Sequence, residues 1–184
     1  MQQQLDLLTQ HLRKLRPGLY EKLNPPLTAD YIHALEENYN VTIPEPVQLL
    51  YRWRNGQAPS FMEAFVNNSM FIPLEEALDI AIDNTSMIGL DFEIDNWWHK
   101  DWLPLFHNGG GDYICYDAGG LFTRQPGQLI EFWHADNDRD VIAPDLVSLI
   151  TALNNFYAAA ASVEEEEYFA VTPPEGYPKK FIVE

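Results

Sequence analysis

The sequence predicts an α+β fold with an antiparallel sheet, and three observations carry that prediction. Apolar residues recur at helical spacing in the first quarter of the chain and again near residue 150. Between them lie short apolar runs of strand length, separated by turn residues. One pair of runs, Leu103–His107 and Tyr113–Asp117, flanks Asn108-Gly109-Gly110-Gly111-Asp112, which reads as a tight hairpin turn. Helices first, strands in hairpin order next and a closing helix segregate the two kinds of element, as in α+β proteins.

In chain order, Leu5, Leu8, Leu12 and Leu15 give the first helix one apolar stripe, and Pro17-Gly18 ends the pattern. A second helix is expected from Thr28, a suitable N-cap after Pro25-Pro26, to about Asn38, with Ile32, Leu35 and Tyr39 inward. Ile43-Pro44-Glu45-Pro46 introduces a third, Val47 to Arg54, which Asn55-Gly56 stops. Met70-Phe71-Ile72 reads as a short strand and Pro73 to about Ile82 as a helix. Periodicity fades from Asp83 to Lys100. After the glycine hairpin come strands at Gln128–His134 and Asp140–Ala143. A helix follows from Pro144 to about Ala161, with Leu146, Leu149, Ile150, Leu153, Phe156 and Tyr157 on one face. Glu164–Glu167 and Pro173-Pro174 read as a solvated run leading into a loose tail. In the returning hairpin strand, alternation puts Tyr113, Cys115 and Asp117 on one face and Ile114 and Tyr116 on the other.

Composition narrows the function classes. At 184 residues, 46% of them hydrophobic, the chain can bury a sizeable core without disulfides or a structural metal. The lone Cys115 forms no internal disulfide, which fits a reducing compartment. The first residues, Met1 to Asp6, lack the basic and apolar regions of a secretory signal, and no stretch approaches the length of a membrane span. A soluble, cytoplasmic protein is expected. Its formal charge of −17 repels nucleic acid and anionic lipid and favours basic partners, while the plainer reading is that the acidity serves solubility alone.

Several constellations invite chemical readings, and each has a plainer one. The glycine run lacks the Lys-Ser/Thr and following helix of a phosphate-binding loop, so it reads as a turn. His134, Asp136, Asp138 and Asp140 alternate as oxygen ligands could, yet no glycine and closing glutamate complete a calcium loop; a polar turn is expected. Cys115 paired with His107 or His134 would make a nucleophile, but the strand pattern places the thiol inside. Ser60, Ser69, Ser86, Ser148 and Ser162 lack the G-x-S-x-G elbow. Asp112 and Asp117 read as a turn cap and a hydrogen-bonded structural acid rather than a catalytic pair. No catalytic residue, metal site or cofactor is therefore expected. Adjacent Trp97 and Trp98 cannot both enter one core from an extended segment, so one is a candidate contact anchor; the plainer reading is that Trp98 or Trp102 packs under the sheet while its partner lies along the surface. Together with Asp91, Glu93 and Asp95, Trp97 and Trp98 form the candidate partner-binding site.

The order of these pieces resembles the SUKH superfamily, whose eukaryotic branch includes the Smi/Knr-type regulators of yeast cell-wall synthesis. The matching stretches are Ile43-Pro44 to Asn55-Gly56, Phe71-Ile72-Pro73-Leu74-Glu75-Glu76-Ala77, Leu103-Pro104 to Asp117 in the pattern LPxxxxGGGDxxxxD, and Gln128 to Phe156. The likeness runs over roughly residues 25 to 160. The long segment Asn84–Trp102 and the tail depart from the pattern. The resemblance implies a twisted, mainly antiparallel sheet flanked by helices. It divides the chain into an N-terminal amphipathic helix (1–24), a SUKH-like domain (25–161) and an acidic, proline-containing tail (162–184). It also implies a non-enzymatic protein-binding role. In bacteria that role is commonly an immunity protein neutralising a toxin, often a nuclease; the yeast-type relatives are instead regulators or scaffolds. The partner expected from the resemblance and the charge is a basic toxin domain, and oligomeric state is left open.

Overall fold

Leu5, Leu8 and Leu12, spaced to share one stripe, are wholly buried where α1 (Gln2–Leu15) packs against the last long helix. The computed structural model describes residues 1–160 and 169–184; the Glu164–Glu167 run lies outside them. Pro17 does not end the helical region as the sequence pattern suggests. Arg16 breaks the helix, and Pro17 begins a second short one, α2 (Pro17–Lys22), because a proline at the first helical position gives up an N–H that has no partner there. In α3 (Ala29–Tyr39), the Thr28 hydroxyl accepts from the Tyr31 N–H at 3.1 Å, and Asn40 closes the helix in the left-handed region at φ 51°.

The Asn55-Gly56 stop after α4 (Glu45–Trp53) has a second task. The Asn55 side-chain oxygen accepts from the Leu74 N–H at 2.8 Å, and its amide donates to Glu75 at 3.0 Å. It thereby caps α5 (Leu74–Ser86) from a distant segment. Gly56 sits at φ 69° with the chain at Pro73 so near that a Cβ would lie 2.3 Å from the Pro73 nitrogen. No other residue fits there.

The strands form one six-stranded antiparallel sheet in sequential order: β1 (Met70–Phe71), β2 (Trp102–His107), β3 (Tyr113–Asp117), β4 (Gln128–Phe132), β5 (Asp138–Ala143) and β6 (Lys179–Ile182). Pro104 is accommodated beside a register shift between Pro104 and Phe106, where a missing N–H is tolerated. The fold class is thus α+β, as the pattern of elements predicts. The closing helix, α6 (Leu146–Ala159), is capped by Asp145, which accepts from the Ser148 N–H at 2.7 Å.

The tail is the main departure from expectation. Instead of running loose, residues 179–182 pair with β5, Arg139 opposite Phe181 and Asp140 opposite Lys180. Phe181 stacks on Phe122 with ring centroids 4.9 Å apart, and Val183 is buried. The N-terminal helix likewise joins the main core: the Asn154 amide of α6 donates to the Gln4 carbonyl at 2.9 Å.

Both faces of the sheet are covered. Alternation along β3 sends Ile114 and Tyr116 to the helix side and Cys115 to the other. The helix side is a large core joining Leu5, Leu50, Tyr51, Phe65, Phe71, Phe106 and Ile150. The opposite side is a smaller aromatic core of Trp98, Trp102, Cys115, Ile130, Phe132 and Val141, roofed by the segment between α5 and β2.

Candidate functional site

The constellations weighed for chemistry resolve first. Around the glycine turn, Asn108 accepts from the Gly110 N–H at 2.7 Å and donates to Asp112 at 2.6 Å. Asp112 also accepts from the His134 N–H at 2.9 Å and lies 2.8 Å from His134 Nδ1. Burial alone would push the Asp112 carboxyl up. The hydrogen bonds from the His134 backbone and ring and from Asn108 outweigh it and hold the carboxyl below its ordinary value. Asp117 is wholly buried and accepts four hydrogen bonds, from the N–H groups of Gly119, Gly120 and Leu121 and from the Gln128 amide. Its oxygens are occupied in shaping the turn before β4. Burial, with Asp117 nearby, drives the Cys115 thiol well above its ordinary value and so disfavours the nucleophilic thiolate.

The His134–Asp140 turn is organised by a residue between the candidate ligands. Arg139 is wholly buried. Its guanidinium donates to the carbonyls of Asp136 at 2.7 Å, Asp138 at 2.6 Å and Trp97 at 2.9 Å. It is sandwiched 4.7 Å from the ring centres of both Trp97 and Phe132. Burial lowers its pKa to about 10, leaving it charged at neutral pH. Carbonyls that could have faced a metal are satisfied by this cation. Among the described residues no group of three His, Cys, Asp or Glu side chains is placed to hold a metal ion.

Arg139 also fixes the segment that carries the predicted contact residues. The chain after α5 turns tightly: the Gly89 N–H donates to the Phe92 carbonyl at 2.9 Å, and the Phe92 N–H to that of Met87 at 3.0 Å. Gly89, at φ 77°, permits the reversal. Phe92 turns inward to meet Phe132 edge-on at 6.2 Å. Beyond it the two tryptophans diverge. Trp98 is 2% exposed, edge-to-face with Phe132 at 5.1 Å and Trp102 at 5.6 Å, and its indole N–H donates to Thr85 at 3.2 Å. Trp97 is half-buried, one face covered by the Arg139 guanidinium.

Of the predicted contact residues, Asp91, Glu93 and Asp95 are exposed together on this one loop. Trp97 borders them. Trp98 does not belong with them, because it closes the aromatic core. Aliphatic side chains accompany these acids: Met87, Ile88, Leu90 and Ile94 are substantially exposed, Leu90 most of all at 70%, as is Ile82 near the end of α5. Their signal was available. Apolar residues without helical or strand period, crowded around a glycine, have no single buried face to share.

The electrostatics of the loop are one-sided. No Lys or Arg occurs between Arg54 and Lys100, while Glu75, Glu76, Asp79 and Asp83 of α5 precede the three loop acids. Among the described residues, Asp83, Asp91, Glu93 and Asp95 take part in no ion pair. An arrangement of free carboxylates around aliphatic side chains on a pinned loop is suited to contact with another macromolecule.

No curated protein matches the chain. A family model described as SMI1 / KNR4 family (SUKH-1) matches residues 26–152, from just before α3 into α6. The matched stretch holds α3 to α5, the first five strands and the loop between α5 and β2, and it covers well over half of the sequence: the chain belongs to the SMI1 / KNR4 family (SUKH-1).

Proposed function

We propose that this protein is a non-enzymatic, cytoplasmic protein-binding domain, an immunity protein that neutralises a bacterial toxin of nuclease type through its acidic loop. The observation that carries this reading is the set of Asp91, Glu93 and Asp95 on one loop with Asp83 near the end of the helix before it, all exposed and without cationic partners among the described residues. A nuclease toxin presents a basic surface, because it must hold a phosphate backbone. Unpaired carboxylates steer such a surface into register and raise the association rate, and they repel acidic bystanders. Family membership supports a protein-binding role, and the charge favours the immunity branch over a cell-wall regulator or scaffold.

The test is rescue of growth. Cells expressing a toxic domain encoded beside this gene should survive when the chain is co-expressed. The double variant Asp91→Lys/Glu93→Lys should protect poorly at equal soluble level, and should associate at least tenfold more slowly at low salt, on the order expected for loss of steering. Failure to protect against any adjacent product, with capture of envelope-synthesis proteins instead, would overturn the immunity reading in favour of the regulator.

A further inference from the structure

The acids account for steering and leave open what holds a partner once it has arrived. Among the described residues ten large hydrophobic side chains are exposed, and five of them, Ile82, Met87, Ile88, Leu90 and Ile94, fall within residues 82–94. Single exposed aliphatics are ordinary on protein surfaces, but such a concentration on the end of α5 and the turn after it marks an interaction surface. Resting on the protein-binding reading above, we propose that this aliphatic ridge, with Leu90 at its summit, is the anchoring centre of the interface, and that it seats in an apolar pocket rimmed by Lys and Arg on a folded basic protein.

Three features of the loop support this assignment. The ridge is pre-shaped: Met87 accepts from the N–H groups of Leu90 and Phe92, and Phe92 is packed inward, so little ordering remains to be done on binding. Its borders are acidic. Asp83, Asp91, Glu93 and Asp95 surround the aliphatics in sequence, which is the pattern of an apolar centre with a charged rim. That rim selects the occupant, because a second copy of the chain would bring the same carboxylates against themselves, whereas a basic rim would pair with them. Trp97, in contrast, is not free to serve as the anchor. Its carbonyl and one ring face hold the buried Arg139 guanidinium, so lifting Trp97 into a partner would strip a buried cation of its neighbours.

The test uses the full chain in its native host, with a photo-crosslinking benzoylphenylalanine placed at Leu90 and, as a control on an exposed part of α1, at Gln10. The expected result is one basic protein crosslinked from position 90 and not from position 10. Against that purified protein, Leu90→Ser and Ile94→Ser should each weaken binding, on the order of 10- to 100-fold for Leu90, chiefly through faster dissociation. Asp91→Lys/Glu93→Lys should act chiefly on association. Both serine variants should keep the wild-type melting temperature, since neither side chain is buried. Crosslinking of position 90 to a second copy or to an acidic protein would overturn the occupant. Capture from position 10 alone, or unchanged affinity in both serine variants, would overturn the ridge and leave the protein-binding reading standing. No protein adduct from either position would overturn both.

Discussion

The two faces of the sheet are buried by different means. On the helix side, α1, α4 and α6 present regular apolar stripes, and the core is a continuous mass of aliphatic and aromatic side chains. On the other side a single loop does the covering. It turns Phe92 and Trp98 inward, binds its last turn to the β4–β5 connection through Arg139, and leaves Leu90, Ile94 and three acids in solvent. A repeating stripe commits nearly every apolar residue to one side. An irregular loop can divide its apolar residues between core and solvent, so the side of the molecule with the less regular backbone is also the one that leaves aliphatic residues in solvent.

The largest effect expected from breaking this contrast is on the helix side. Phe106 is wholly buried, with Phe65 and Phe71 ring centroids at 5.7 and 5.5 Å. Phe106→Ala should cost about 4 kcal/mol in urea unfolding and loosen the whole molecule, as large truncations in a continuous core do. Arg139→Ala should cost somewhat less, about 3 kcal/mol, because three carbonyls lose a charged donor and two rings lose their cover. Its signature should be local. Amide exchange should quicken at Gly89–Trp97 and β5–β6 while the helices keep their protection; uniform quickening would show that the aromatic side is not a separate unit.

A smaller effect sharpens the comparison through pH. Glu131 of β4 lines a helix-side cavity of about 130 Å³ together with Asp140, Leu149 and Val171. Burial first, and Asp140 second, push its carboxyl up to about 7, with Lys180 opposing them. Between the ordinary carboxylate range and 7 the folded state binds the extra proton, so stability from this group is complete below about pH 4.5 and declines as pH rises to 7. The decline amounts to at most about 3 kcal/mol. Glu131→Gln should flatten the stability profile across that window; an unchanged slope would place the titration elsewhere. Asp91→Lys/Glu93→Lys marks the low end. These side chains are exposed and unpaired, and stability should move by no more than about 0.5 kcal/mol while association slows.

Much of this was legible in the chain itself. The Leu5–Leu8–Leu12 stripe, the Thr28 cap, the Asn55-Gly56 stop and the glycine hairpin each depend on residues within a few positions of one another, and each stands where its pattern put it. The acidic loop was also readable, from Asp91, Glu93 and Asp95 beside two tryptophans. Which tryptophan turns inward was not, because alternation says only that neighbours diverge and not toward which side. The strand at Lys179–Ile182 escaped for a similar reason: after two prolines, a four-residue run has no local preference strong enough to announce itself, and it becomes a strand only because the edge of β5 offers partners.

By itself, then, the sequence determined the α+β class, the order of the helices and hairpins, the acidic character and the irregular acidic segment before β2, because those follow from short-range periodicity, turn chemistry and charge. Tertiary structure alone decided that Arg139 is buried between Trp97 and Phe132, that Trp98 belongs to a core, that the C-terminal strand completes the sheet and that Leu90 stands free above the loop. Each of these is a choice between burial and exposure made by residues far apart in the chain, and only packing, in which one group's shelter is another's surface, can make it.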